Sequence, residues 1–409
     1  MPNSFKIRLL YVSYILFFVV GSLILIASLP KHTYITSNDF GRLLGIWAIT
    51  AMAFQFILSS RFKPLEKGIG LIRIMSIHSF NAKLLLILVI LHPLFLGMIG
   101  KFEYYDLPHW IGFITTLLLI FIVVASVFTN ILKMNYEVWK FFHQVSYLIL
   151  ILTIIHSFLL RSGLFLYWWI LMIILAGIGI IAKIFRKTYK FMVDDISEES
   201  HNIWTIKLKP VKGRIFNYNP GQFAYIRFFG QVSPEEHHFT ISSSPGEKYL
   251  TFTVKNLGDF TSTIPKIKNG DMAIIDGPYG VFTNINNPGP FLFIAGGIGI
   301  TPVMSMLRFM AGKDIFGGSV LLYVLKNEND AVFKEEIIKI SKKGWLKVVY
   351  KYTEKEGYVD AKLLKKIENI SSRTVFLVGP EGMMTSVKKI LLDIGVSNNR
   401  IFTERFSLK

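Results

Sequence analysis

The sequence predicts a six-helix membrane bundle, then a small antiparallel β-barrel, then an α/β domain on a parallel sheet. Three observations carry that prediction. Up to about residue 190 the chain repeats apolar runs long enough to cross a bilayer. From 191 to 288, short strand-like runs alternate with Gly, Pro, Asn and Asp turns. From 289 to 409, strand, glycine-rich turn and helix alternate. These limits divide the 409 residues into three domains, 1–190, 191–288 and 289–409.

Composition narrows the chemistry. The chain contains no cysteine, which excludes disulfides, Cys-ligated iron–sulfur clusters and Cys-based zinc sites. Its formal net charge of +18 suits an anionic membrane surface and anionic cofactors. The lysines are scattered rather than striped and half the chain is apolar, so no nucleic-acid partner is expected.

A bilayer core of roughly 30 Å takes about 20 apolar residues of helix. Runs of that kind cover 9–29, 41–60, 77–99, 110–132, 141–160 and 164–185. Lys6 and Arg8 precede the first run and "ASLP" follows it, as in a signal peptide, but the run is too long for one and reads as a helix. Lys and Arg are concentrated at alternate ends of these runs: Lys6, Arg8, Arg61, Lys63, Lys67, Arg73, Lys133, Lys140, Lys183, Arg186, Lys187 and Lys190 on one side, against Lys31, Arg42, Lys101 and Arg161 on the other. The positive-inside rule then sets the N-terminus and everything after 190 in the cytoplasm, with the chain a multi-pass protein of the cell membrane.

Two of the spans share an unusual feature. "IHSFNAKLLLILVILHP" carries His78 and His92, 14 residues apart, and "FFHQVSYLILILTIIHS" carries His143 and His156, 13 apart. At a rise of about 1.5 Å per residue each separation is roughly 20 Å. Both spans run in the same direction, so His78 shares a depth with His143 and His92 with His156. Opposed imidazoles at two depths suit the axial positions of two haem irons, His78 with His143 inside and His92 with His156 outside. Zinc would want three or four ligands at one depth. A proton relay would want intervening carboxylates, and neither span has one between its histidines. An interhelical hydrogen bond is the plainer use of any one such histidine. Thirteen residues at about 100° each do not return to one helix face, so the fifth span needs a bend or a bulge. His32 and His109 fall in or beside external loops and read as surface. Arg73 and Lys83 near the inner pair, and Arg42 and Arg161 near the outer one, are the basic residues available to haem propionates.

The second half reads as strands "WTIKLKP", "GQFAYIRFF", "YLTFTVKNLG" and "MAIIDGPYG", an antiparallel barrel. "FLFIAGGIGITPVMSMLRFM" then brings strand, turn and helix, where glycines let main-chain N–H groups approach a pyrophosphate. "GPEG" (379–382) takes the equivalent place in a later unit. Residues 296–301 read G-G-I-G-I-T, so the dehydrogenase fingerprint is absent.

In order along the chain stand two histidine pairs, "PGQF" (220–223), "HHFTISS" (237–243), "GPYG" (277–280), "GGIGITP" (296–302), "VGPEGM" (378–383) and "ERF" (404–406). In these motifs the second half resembles the ferredoxin–NADP⁺ reductase superfamily. The whole chain resembles the ferric reductase / NADPH oxidase family, as a short member without calcium-binding or regulatory extensions. The resemblance implies two haems b, FAD and NADPH, with NADH possible. His237, Phe239 and Thr240 match the flavin signature, the aromatic packing on the flavin and the hydroxyl facing its N5 edge, and Ser242 and Ser243 continue it. Gly258 and Thr261 match the segment along the FAD pyrophosphate. Gly296, Gly297, Gly299, Thr301 and Pro302 match the nicotinamide-nucleotide turn, Gly379 and Pro380 the second one, and Phe406 the aromatic that covers the isoalloxazine.

The chain departs from the family pattern at four places. His238 stands where the family has Pro, Val378 where it has Cys, Lys326 where it has the Arg read as a 2′-phosphate contact, and Leu96 where many oxidases have another His. The implied route runs from NAD(P)H to FAD, then by single electrons through the inner and outer haems to an external acceptor. Oxygen, reduced at the haem edge with Arg42 or Arg161 stabilising superoxide, is the expected acceptor. A ferric chelate is the alternative, as is a partner protein served by a membrane electron-donor subunit. The sequence itself requires no protein partner.

Overall fold

The computed structural model describes residues 4–28, 36–99, 106–129, 131–132, 134, 136–160, 165–230, 232, 235–285, 287–313, 315, 317–343 and 346–404. Arg161, Phe406 and His32 lie outside the described residues. The chain divides into two compact units between Phe185 and Arg186.

The first unit is helical: α1 (Ser4–Ser28), α2 (Ser37–Ser59), α3 (Lys63–Ile69), α4 (Leu71–Phe95), α5 (Leu107–Val127), α6 (Tyr136–His143), α7 (Val145–Leu159) and α8 (Phe165–Ile184). Six spans among the described residues are long and apolar enough to cross a membrane, the fifth formed by α6 and α7 together. Lipid gives helices little hydrophobic reason to associate, so small residues and buried hydrogen bonds must hold them. The most enclosed span, α2, fits that requirement with buried Gly41, Ala48, Ala51 and Ala53. Asn81 on α4 donates from Nδ2 to the Ala51 carbonyl at 2.9 Å and accepts from the Tyr14 hydroxyl of α1. α2 packs along α4 and α8, and α5 along α7, whereas α4 and α7 are not closely packed backbone to backbone among the described residues.

Two helices differ from the apolar runs. α4 begins at Leu71, six residues before its run, because "LIRIMS" is helical despite Arg73. The fifth run is divided at Gln144, between α6 and α7. There the Gln144 N–H donates to Phe141 O at 3.2 Å as well as Lys140 O, and the Tyr147 N–H donates to Gln144 O at 3.1 Å. Such i→i−3 bonds tighten the winding toward about 120° per residue. The irregularity that the 13-residue spacing calls for falls on the residue after His143.

The second unit opens with β1 (Thr188–Ser200), which starts three residues ahead of 191 because Thr188 to Met192 pair with Asp276 to Met272. With β2 (Ile203–Pro210), β3 (Phe223–Phe229), β4 (His237–Thr240), β5 (Leu250–Lys255) and β6 (Met272–Tyr279) it forms an antiparallel sheet in the order β4-β3-β6-β1-β2-β5. A bridge from Ile241 to Phe252 joins the two outer strands and closes the barrel over Phe191, Ile206, Ile226 and Phe252. At Gly221 (φ +87°) a Cβ would stand 2.3 Å from the Phe282 carbonyl, so the "PGQF" turn needs glycine there.

Five parallel strands follow, β7 (Phe291–Gly296), β8 (Ser319–Leu325), β9 (Leu346–Tyr352), β10 (Thr374–Val378) and β11 (Ile401–Glu404), in the order β11-β10-β7-β8-β9. Around them lie α9 (Ile300–Ala311), α10 (Lys334–Ser341), α11 (Thr353–Glu356), α12 (Ala361–Lys365) and α13 (Glu381–Asp393). Strand order reverses direction between β7 and β10, and ligands of such sheets bind at the C-terminal strand ends beside that reversal.

Candidate functional site

The membrane unit brings the inner histidines together. The ring centres of His78 and His143 lie 6.3 Å apart with the planes inclined at 60°. A metal–imidazole bond of about 2.0 Å, plus about 1.2 Å from nitrogen to ring centre on each side, sets two axial rings about 6.4 Å apart, so the spacing suits one iron between them. Trp139 stacks on His143 at 4.9 Å. Its indole N–H donates to Ser126 Oγ, which in turn donates to the Ile122 carbonyl and stands 3.5 Å from His143 Nδ1. His78 Nδ1 is buried with no hydrogen-bond partner among the described residues.

At the outer end the two histidines are held alike. His92 Nδ1 donates to the carbonyl of Gly41 and His156 Nδ1 to the carbonyl of Pro108, each at 2.7 Å. A carbonyl only accepts, so both Nδ1 atoms carry the proton and both lone pairs sit on Nε2, the tautomer in which a metal-ligating histidine is commonly fixed. Among the described residues no group of three or more His, Asp and Glu gathers to hold a metal by side chains alone. A metal at either histidine pair would take its remaining ligands from a cofactor.

Of the basic residues considered, Arg42 follows Gly41, has a side chain 53% exposed, and stands 4.0 Å from Asp39. Arg73 and Lys83 are each five residues from His78, about 140° around α4, and are exposed away from its imidazole. Lys183 on α8, which the sequence marks only as a basic residue at a span end, donates to the Tyr147 hydroxyl at 2.8 Å.

In the second unit, β4 splits the flavin-signature residues between its two faces, as a strand must. His237 stacks on Phe260 at 3.8 Å, and Phe239 lies beside the same ring at 6.2 Å. His238 packs against Phe223 and Tyr225, on the face shared with Thr240. Ser242 and Ser243 are fully buried. The Ser242 hydroxyl bonds Thr251 and Thr253, and that of Ser243 bonds Tyr218, whose phenol burial pushes well above its usual range. Thr261 Oγ1 accepts from the N–H groups of Leu257 and Gly258, tightening an exposed turn.

The nucleotide-turn residues meet at the sheet's reversal point. β7 and β10 are paired, Ala295 with Val378, so the turn after one abuts the turn after the other. A Cβ on Gly299 would lie 2.9 Å from the Val378 carbonyl, and one on Gly296 would lie 2.9 Å from Pro380. Gly297, by contrast, has open space above it. Thr301 is buried and donates to the Ile298 carbonyl within the same turn, with Pro302 in the first turn of α9. Lys326 is exposed just after β8, at the same sheet edge. β11 delivers Glu404 beside Gly280 of "GPYG", its carboxylate 3.9 Å from where a Cβ would sit.

One connection carries no sequence signal. From α9, Arg308 donates to the Ser242 carbonyl at 2.6 Å, forks onto Glu336 at 2.8 and 2.6 Å, and lies over the Phe333 ring, while Ser305 donates to the Ser243 carbonyl at 2.6 Å. Burial opposes the charge on Arg308, but Glu336 outweighs it and holds the guanidinium ionised. The end of the flavin strand is thereby tied to the helix that begins at the nucleotide turn.

Comparison with known proteins gives three family matches in chain order. They are a ferric reductase like transmembrane component over residues 44–154, an FAD-binding domain over 189–283, and an oxidoreductase NAD-binding domain over 293–389. Flavohemoprotein A of Dictyostelium discoideum is 28% identical over 241 residues, 54% of this chain and 61% of that protein. NADH oxidoreductase HCR of Escherichia coli (strain K12) is 27% identical over 231 residues, 53% of this chain and 68% of that one. The chain spans about three fifths of the length of the flavohemoproteins it matches. A flavohemoglobin from Malassezia yamatoensis aligns with 95% of this chain and 98% of its own at 15% identity and a TM-score of 0.50, a likeness of fold. The order of the three matches, a ferric-reductase-like membrane component and then FAD-binding and NAD-binding domains, corresponds to the ferric reductase / NADPH oxidase-type architecture.

Proposed function

We propose that this protein is a transmembrane oxidoreductase that moves electrons from cytoplasmic NAD(P)H, through FAD and two b-type haems, to oxygen on the far side, giving superoxide. The observation that carries the reading is the 6.3 Å spacing of the His78 and His143 rings within a ferric-reductase-like bundle. Bound FAD would convert two-electron hydride chemistry to one-electron transfer, and haem held by the histidine pairs would carry single electrons across the bilayer. Outward movement of an electron across a membrane negative inside is favourable by about 2.3 kcal/mol per 100 mV.

The chain's own residues bind and orient. Gly297 leaves main chain bare for a pyrophosphate, while Gly296, Gly299 and Gly379 let the two turns abut, with Thr301, Pro302 and Pro380 shaping them. Lys326 offers a 2′-phosphate a point charge without a bidentate fork, so any preference for NADPH over NADH at this position rests on charge alone. His237, Phe239 and Phe260 form an aromatic wall for the flavin and Thr240 a hydroxyl on the opposite strand face, with Phe406 as the covering aromatic. Gly258 and Thr261 run along its pyrophosphate, and Ser242 and Ser243 act by fixing the strand end. Arg42 and Arg161 attract an anionic product. Reduction of a ferric chelate at the same outer end is the second reading, favoured by the family description of the membrane unit.

Cytochrome c reduction with NADPH and with NADH, with and without superoxide dismutase, beside a ferric-chelate assay, tests the proposal. Reduction abolished by the dismutase is expected. Dismutase-insensitive activity with rapid chelate reduction would select the second reading, and a purified protein without b-type bands would sink both. His143→Ala should remove the inner haem; full haem content in that variant would overturn the axial assignment.

A further inference from the structure

The two outer histidines rest on the same arrangement in two different helix pairs. On α2, Gly41 supplies the carbonyl that His92 Nδ1 bonds, and Gly45 stands four residues on; a Cβ on Gly45 would lie 2.8 Å from His92 Cε1 and 3.0 Å from Nδ1. On α5, Pro108 supplies the carbonyl for His156, and Gly112 stands four residues on; a Cβ there would lie 2.6 Å from His156 Cε1 and 2.7 Å from Nδ1. In a helix the carbonyl of residue i is shielded by the side chain at i+4, because side chains lean toward the helix N-terminus. Removing that side chain is what lets an imidazole from a neighbouring helix lie against the turn.

We propose that Gly45 and Gly112 are positioning residues for the outer imidazole pair: each withholds a side chain so that His92 or His156 reaches a carbonyl one turn back and is held with its Nε2 lone pair toward a haem iron. The inference rests on the haem reading above. It goes beyond the ligands themselves, because it assigns ring orientation and tautomer at the outer site to two residues with no side chain. It also sets the outer site apart from the inner one, where the neighbours of His143 are Ser126 and Trp139 and His78 Nδ1 has no hydrogen-bond partner among the described residues. The plainer use of Gly41-x-x-x-Gly45 is close helix packing, and a Cβ on Gly41 would indeed meet Leu96 of α4 at 2.9 Å. Gly45 differs in meeting only the imidazole within that distance.

The test uses the full-length holoprotein as Gly45→Ala and Gly112→Ala, with Gly177→Ala as control, since a Cβ at Gly177 meets nothing within 4 Å. Haem per chain, the low-spin ferric signal by electron paramagnetic resonance and the flavin content are read together. Each of the two variants is expected to hold the outer haem 10–100-fold less tightly, about the effect of losing an outer-shell partner, or to show its low-spin signal shifted. The inner haem, the flavin and the control should stay unchanged. Both variants keeping two low-spin haems with wild-type spectra would overturn the positioning role and leave the haem reading intact. Loss of both haems in both variants would mark a packing role and overturn it likewise. A wild-type protein without haem would overturn the reading beneath it.

Discussion

Arg308 shows how one side chain can serve two cofactor segments while touching neither turn. Its fork holds Glu336 and an N–H of Nη1 holds the end of the flavin strand. Arg308→Ala leaves a carboxylate and a carbonyl without this donor, which should cost roughly 1.5–3 kcal/mol and lower the midpoint of thermal unfolding. Steady-state kinetics should show the KM for NAD(P)H rising while flavin is retained. Arg308→Lys should fall between, because an ammonium keeps the charge and loses the fork. Phe260 is the other residue-scale test. It lies 7% exposed beneath His237, and its replacement by Ala should cost about 3–5 kcal/mol; flavin released on purification would be seen as lost visible absorbance. Neither residue was legible in the sequence. The motif residues Phe239 and Thr240 stood out by pattern, whereas an Arg in an amphipathic helix and a Phe among 35 carry no mark of what they touch.

At the scale of elements, the glycine turns and strands were legible because alternation and turn chemistry are local. The break at Gln144 was legible only as a need. The 13-residue spacing demanded an irregularity, but hydropathy does not record i→i−3 bonds. Deleting Gln144 should turn His143 by about 100° relative to α7 and remove the inner low-spin signal while sparing the outer one; spectra with both signals intact would argue that the break is incidental. The entry into the barrel is a second element-scale device. Arg186, the first residue of the second unit, donates to buried Asp276 at 2.8 Å, and Tyr279 donates to the same carboxylate at 2.5 Å. Removing one partner of a buried pair costs about 3–5 kcal/mol, so Asp276→Ala should sharply lower the unfolding temperature of the reductase half, followed by flavin fluorescence.

At the scale of the molecule, the order of bundle, barrel and parallel sheet was legible almost entirely, since run length, alternation and glycine placement each operate over tens of residues. Each unit has its own core, the second centred on Phe293, Leu321 and Phe376 in its sheet and on Ile226 and Phe252 in its barrel. Residues 186–409 expressed alone should therefore unfold cooperatively, bind FAD and reduce ferricyanide with NADH, while binding no haem; failure to retain flavin would mean that the barrel needs the bundle. What the sequence hid in the membrane half was the pair of main-chain carbonyls at Gly41 and Pro108, which no side chain announces.

The repetition of that arrangement, in α2 with α4 and again in α5 with α7, has a genetic consequence. On the haem reading both helix pairs hold ligands of one iron, so damage to either pair acts on the same bound group. Gly45→Ala and Gly112→Ala combined should then hold outer haem less tightly than either single variant, and the departure from additivity measures the coupling between the two imidazoles.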